Sequence, residues 1–160
     1  MNNFTDFIIK NSDDIYIFFE IFNQIKPRKI LDVGVFLKRI GAISRNVMEY
    51  EIEDNVIMDG IDLFPEVRCG VYKQIYNHLF EIGGFSFQSD YDLIFLIRID
   101  KFMNTEQMNE LWKYAASYCK YAITTKYPEM EAHLQQTSVD FIHRTLNSGE
   151  SNFELIIFQS

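Results

Sequence analysis

The chain reads as an α/β protein built on a doubly wound, mostly parallel sheet, and three observations carry that reading. Short apolar runs at Lys29–Val33, Asn55–Leu63 and Asp92–Ile99 alternate with segments of helical spacing, the pattern of βαβ units joined by right-handed crossovers. The runs are mostly apolar, as strands covered on both faces are. All three prolines, Pro27, Pro65 and Pro128, fall between periodic segments and not inside them, where they end elements.

Each element follows in order. From Asp13 to Ile25, residues Ile15, Phe18, Phe19, Phe22 and Ile25 recur at helical spacing behind Asn11, Ser12, Asp13 and Asp14, which supply cap oxygens and first-turn acids. This predicts a helix closing before Pro27, with residues 1–26 packed as a helical segment on the rest. Lys29–Val33, apolar except for Asp32 and followed by Gly34, predicts the first strand. Ile40, Ile43 and Val47 predict a helix over Lys38–Tyr50, and Asn55–Leu63 then gives the second strand, ending in Ile61-Asp62-Leu63. A short helix is expected after Pro65, a third strand near Gln74–Leu79 and a fourth over Asp92–Ile99. Asn104 with Gln107 three residues on forms a capping box for a helix whose apolar face is Met108, Leu111, Trp112, Ala115 and Cys119. Tyr121–Thr125 is the expected fifth strand, Val139–Leu146 an expected polar helix and Phe153–Phe158 the last strand.

Composition narrows the function. At 160 residues the chain is expected to be a single domain. With 48% hydrophobic and 16% aromatic residues it is globular. Fifteen basic against 23 acidic residues leave a net charge of −8, which argues against nucleic acid or an anionic membrane as partner. The most apolar window, Ile15–Phe22, is broken by Glu20 and is too short to span a bilayer. The start, Met1-Asn2-Asn3-Phe4-Thr5-Asp6, lacks the basic residues of a secretory signal, and Cys69 and Cys119 make no disulfide framework. A cytoplasmic protein is expected. His78, His133 and His143 do not stand at ligand spacing from cysteines or acids, so no metal site is expected, and each reads as an ordinary surface or core histidine. Ser44, Ser86 and Ser89 lack a nucleophile-elbow context. No residue is singled out as catalytic.

Ile30-Leu31-Asp32-Val33-Gly34 before a helix, then Gly60-Ile61-Asp62-Leu63 one βαβ unit later, resembles the class I methyltransferases that use S-adenosylmethionine. Phe64-Pro65-Glu66, Tyr72–Tyr76 and Tyr91-Asp92-Leu93-Ile94-Phe95-Leu96 follow in the same order, so the resemblance covers roughly Lys29 to Lys126. It implies a Rossmann-like fold with a cofactor crevice at the carboxyl edge of the sheet, near Gly34, Asp62, Leu79 and Arg98. The residues it assigns to cofactor binding are Asp32, Gly34, Val35, Phe36, Asp62, Leu63 and Arg98. Asp62 matches the acid that accepts both ribose hydroxyls, and Leu63 or Phe64 beside it stands where it packs on an adenine face. A rival reading makes Asp62 a helix cap.

The glycine turn departs from the family pattern. Three alternating glycines are called for, whereas the register here is Gly34-Val35-Phe36-Leu37-Lys38. Phe36 either walls the pocket or fills it, and Lys38 puts a Cβ and a charge at a position suited to glycine. After the fourth strand Arg98-Ile99-Asp100-Lys101-Phe102 replaces the usual acid and Glu-His pair. Arg98 either binds an anionic group or pairs with Asp62 or Asp32. By family comparison the C-terminal antiparallel hairpin is expected to be reduced to one strand, leaving an exposed edge or a dimer contact. Two functions follow: a methyltransferase-like domain with a degraded S-adenosylmethionine site, acting on a small molecule or a partner protein, or a non-catalytic interaction module descended from that fold.

Overall fold

Ile30, Leu31 and Val33 are all at most 1% exposed, which only a strand covered on both faces achieves. Lys29–Val33 is accordingly β1, an interior strand of a sheet in the computed structural model, which describes residues 24–33, 57–61, 74–76, 90–96, 99–101, 103–148 and 151–159. The other strands are β2 (Ile57–Ile61), β3 (Gln74–Tyr76), β4 (Tyr91–Leu96), β5 (Cys119–Thr125), β6 (Asp140–Ser148) and β7 (Ser151–Gln159). The helices are α1 (Thr105–Tyr118) and α2 (Met130–Gln135), with a 3-10 turn at Ile99–Lys101. The seven strands lie in the order β3-β2-β1-β4-β5-β7-β6. The first five are parallel, and β7 runs antiparallel to both β5 and β6. The expected α/β doubly wound sheet, with Ile30–Val33 beside the fourth strand, is therefore present.

The register places the core. Leu31 and Val33 of β1, Ile61 of β2, Ile94 and Leu96 of β4, Ala122 of β5 and Ile156 of β7 form one cluster with Met108, Leu111, Trp112 and Ala115 of α1. Because strand side chains alternate, Ile30 and Asp32 point to the opposite face, as do their register partners Leu93 and Phe95. Helix α1 starts as expected: Gln107 N donates to Asn104 Oδ1 at 2.8 Å and Asn104 N donates to Gln107 Oε1 at 2.9 Å. It ends where Cys119 takes an extended backbone and begins β5 with no intervening loop. Burial of Trp112, at 0% exposed, makes it a residue whose loss to alanine costs about 3–5 kcal/mol.

Two expectations are corrected. Val139–Leu146 is not a polar helix: Asp140–Ser148 is strand β6, paired with β7 residue by residue from Asp140↔Gln159 to Ser148↔Ser151. The C-terminal hairpin is therefore complete, with two nine-residue strands, and is not reduced to one. The physical reason is that Phe141, Ile142 and Thr145 favour a pleated surface, and β7 supplies the ladder that isolated spacing does not reveal. Helix α2 precedes the hairpin where no helix was expected. The expected helix Asp13–Ile25 lies outside the described residues except for helical Gln24 and Ile25. The expected helices at Lys38–Tyr50 and after Pro65 lie outside them altogether.

Candidate functional site

In an open α/β sheet, ligands bind beyond the carboxyl ends of the strands where the strand order reverses. Here β1 leads outward to β2 and β3 on one side, and β4 leads to β5 and the hairpin on the other. The switch point thus lies between the carboxyl ends of β1 and β4. Val33 and Ile61, the last residues of β1 and β2, are register partners, so both strands finish at the same level. Of the sequence-predicted site, Asp32 is described: it is 0% exposed, one residue from the end of β1, with Phe95 and Gly60 as neighbours in register. A carboxyl in that setting requires polar company. Gly34, Val35, Phe36, Asp62, Leu63 and Arg98 lie outside the described residues, as do Lys38 and Leu79.

The amino edge is held by Asp92. Its Oδ2 accepts from the backbone N–H of Arg28 at 2.8 Å and of Lys29 at 3.1 Å, and Lys120 Nζ lies 3.5 Å from Oδ1. Partial burial pushes this carboxyl up, but the two N–H donors and the Lys120 ammonium outweigh it and hold the group below its ordinary range. Above it, the Tyr91 hydroxyl donates to Asp59 Oδ2 at 2.8 Å, and Lys29 Nζ sits 4.8 Å from the Tyr91 ring centre. A cavity of about 400 Å³ opens at this same edge, lined in part by Asp90, Tyr118, Lys120 and Phe158. It is thus on the side of the sheet away from the switch point.

Two polar clusters were missed by sequence reasoning. On the hairpin, Glu154 is 0% exposed and its Oε2 accepts from His143 Nε2 at 2.5 Å and from Thr145 Oγ1 at 3.0 Å. Oε1 has no partner among the described residues. Glu154 pairs in register with Thr124, whose hydroxyl lies 3.0 Å from the Leu96 carbonyl oxygen at the end of β4. The buried carboxylate therefore belongs to the carboxyl edge, two strand spacings or about 10 Å from β4. Only the His143-x-Thr145 alternation hinted at this, and it acquires meaning once β6 is known to pair with β7.

The second cluster joins α1, the segment after β5 and α2. Trp112 Nε1–H donates to the Tyr127 hydroxyl at 2.6 Å, and that oxygen lies 2.8 Å from His133 Nδ1. Indole is only a donor, so the Tyr127 oxygen accepts from Trp112 and shares a second hydrogen bond with His133 Nδ1. Burial pushes the His133 pKa down and the Tyr127 hydroxyl well up. Of the two places the sequence reading left open for His133, surface or core, the structure gives the core. Among the described residues no group of histidines, cysteines and acids is arranged to hold a metal ion, and no helix is long and apolar enough to cross a membrane.

No family model matches the sequence, and no curated protein matches it. Solved structures do. A provisionally assigned O-methyltransferase of Nostoc punctiforme PCC 73102 superposes with a TM-score of 0.70 at 13% identity, over 93% of this chain and 56% of that one. An O-methyltransferase family protein from Burkholderia thailandensis gives 0.68 at 12% identity, over 98% of this chain and 58% of that one. Magnesium protoporphyrin IX methyltransferase from Synechocystis PCC 6803, solved with bound S-adenosylmethionine, gives 0.64 at 12% identity, over 99% of this chain and 86% of that one. The chain spans little more than half the length of the first two. Parallel strands reversing at β1/β4, closed by an antiparallel hairpin and matched by these neighbours, define the Rossmann-like fold of the class I methyltransferases.

Proposed function

We propose that the chain is a methyltransferase-like module that keeps the S-adenosylmethionine crevice of its fold in degraded form and does not turn over at an ordinary rate. The observation that carries this reading is the switch point at β1/β4, with Asp32 buried beside it and the chain leaving β1 into Gly34-Val35-Phe36-Leu37-Lys38. The donor set fits only half of the cofactor. Asp62, directly after β2, is a carboxylate suited to two ribose hydroxyls, and Leu63 to an adenine face. The turn after β1 keeps one glycine, and side chains at Phe36 and Lys38 oppose the close backbone approach the methionine half requires. Val35 and Arg98 complete the cofactor-binding set that the sequence resemblance assigns.

A second reading, an active methyltransferase on a small molecule or a presented protein group, is favoured by one observation: the C-terminal hairpin is complete. Calorimetric titration with S-adenosylmethionine and S-adenosylhomocysteine separates the two. The degraded-site reading expects no saturable heat below millimolar ligand. Micromolar affinity for either compound overturns it in favour of the enzyme.

A further inference from the structure

Strand β6 ends the sheet, and among the described residues nothing pairs with its outer edge. A nine-residue edge with open N–H and C=O groups is a template for another strand. Its outward surface is specific: Asp140, Ile142 and Arg144 share one face of the strand, all three are exposed, and Ile142, at 39%, is an exposed large hydrophobic residue among the described residues. We infer that β6 pairs antiparallel with β6 of a second copy of this chain, about a two-fold axis at Ile142, to give a continuous fourteen-strand sheet.

The occupant and register follow from symmetry and charge. A two-fold axis relating antiparallel edge strands stands perpendicular to the sheet, so it preserves faces, and residues directly opposite must share one. The axis therefore passes through a residue, not between two. Centred on Ile142, the pairing sets Ile142 against its own copy, Asp140 against the copy's Arg144 and Arg144 against the copy's Asp140. Phe141 then faces the copy's His143 on the other side of the sheet. Centred on His143, Ile142 would face Arg144 and Asp140 would face Leu146, and no opposite charges would meet. Centred on Arg144, two guanidinium groups would oppose each other. Cross-strand neighbours of opposite charge stabilise a pair and like charges disfavour it, so the strand is self-complementary in one register. The two ionic pairs arise only between copies, because within one chain Arg144 faces Leu155 and Asp140 faces Gln159.

Sedimentation of the full chain across a concentration series should show a monomer–dimer equilibrium. D140R or R144D alone should raise the dissociation constant about tenfold or more, since each puts like charges opposite twice. The double variant D140R/R144D, which restores both pairs with signs exchanged, should return it to within about threefold. Circular dichroism on each variant verifies the fold. A cross-linking pair of variants decides the case should a charge variant misfold. Under mild oxidation I142C should form a disulfide dimer, whereas R144C, offset by four residues or about 13 Å from its copy, should not. A native chain that stays monomeric at high concentration overturns the inference. So do a dimer indifferent to both charge reversals and equal cross-linking by I142C and R144C.

Discussion

The Tyr127 hydroxyl and His133 Nδ1 lie 2.8 Å apart, with Trp112 Nε1 2.6 Å from the same oxygen, so one buried phenol fixes both an indole and an imidazole. Three segments that follow one another in the chain meet there: α1, the exit from β5, and α2. Their packing is specified by direction as well as by apolar contact, because each donor has one acceptor to reach.

Removing that hydroxyl should therefore be costly for its size. Y127F leaves Trp112 Nε1–H and His133 Nδ1 without their shared partner in a buried site and should lower stability by about 1–3 kcal/mol. Urea unfolding should show a lower midpoint with an unchanged slope.

Acid should act through His133. Burial holds its folded pKa below the ordinary 6.5, so between the two values the unfolded chain binds the proton and the folded chain does not. The stability this group contributes is whole above about pH 6.5 and is lost as pH falls through the lowered folded value. Measured from pH 7.5 downward, the unfolding free energy of the native chain should decline below pH 6.5 with a slope of at most about 1.4 kcal/mol per pH unit from this residue. H133N, which keeps an acceptor near the Nδ1 position without titrating, should flatten that part of the profile.

On the hairpin, His143 supplies one of the two donors that hold the buried Glu154 carboxylate. H143L alone should destabilise by about 1–3 kcal/mol, because it leaves the buried Glu154 Oε2 with only the Thr145 hydroxyl to meet it. H143L/E154L, which removes the carboxylate as well, should recover most of that loss. A double variant no better than H143L would mean that the pair is not coupled.

For the cofactor, F36G/K38G restores two glycines to the turn after β1. It should introduce at most weak, high-micromolar S-adenosylmethionine binding by calorimetry, since the positions after the fourth strand have changed too. Tight binding by the unmodified chain would instead make Phe36 a wall of a working pocket.

The parallel half of the sheet was legible from residues alone. Ile30-Leu31-Asp32-Val33, Asp59-Gly60-Ile61 and Leu93-Ile94-Phe95-Leu96 are buried on both faces, and double burial leaves mostly apolar runs, interrupted by Asp32 and Asp59, that need no knowledge of neighbours. The Asn104–Gln107 box was legible for a related reason, as its two hydrogen bonds span three residues. The hairpin was not. Phe141-Ile142-His143-Arg144-Thr145 mixes apolar and polar residues on both faces of an edge strand, so neither period stands out, and pairing with β7 made the choice. The same long-range register brought His143 and Thr145 onto Glu154, and packing of α1 against α2 brought Trp112 and His133 onto Tyr127. Local energies are written in short stretches of sequence, whereas a buried carboxylate or histidine takes its partners from wherever the fold delivers them.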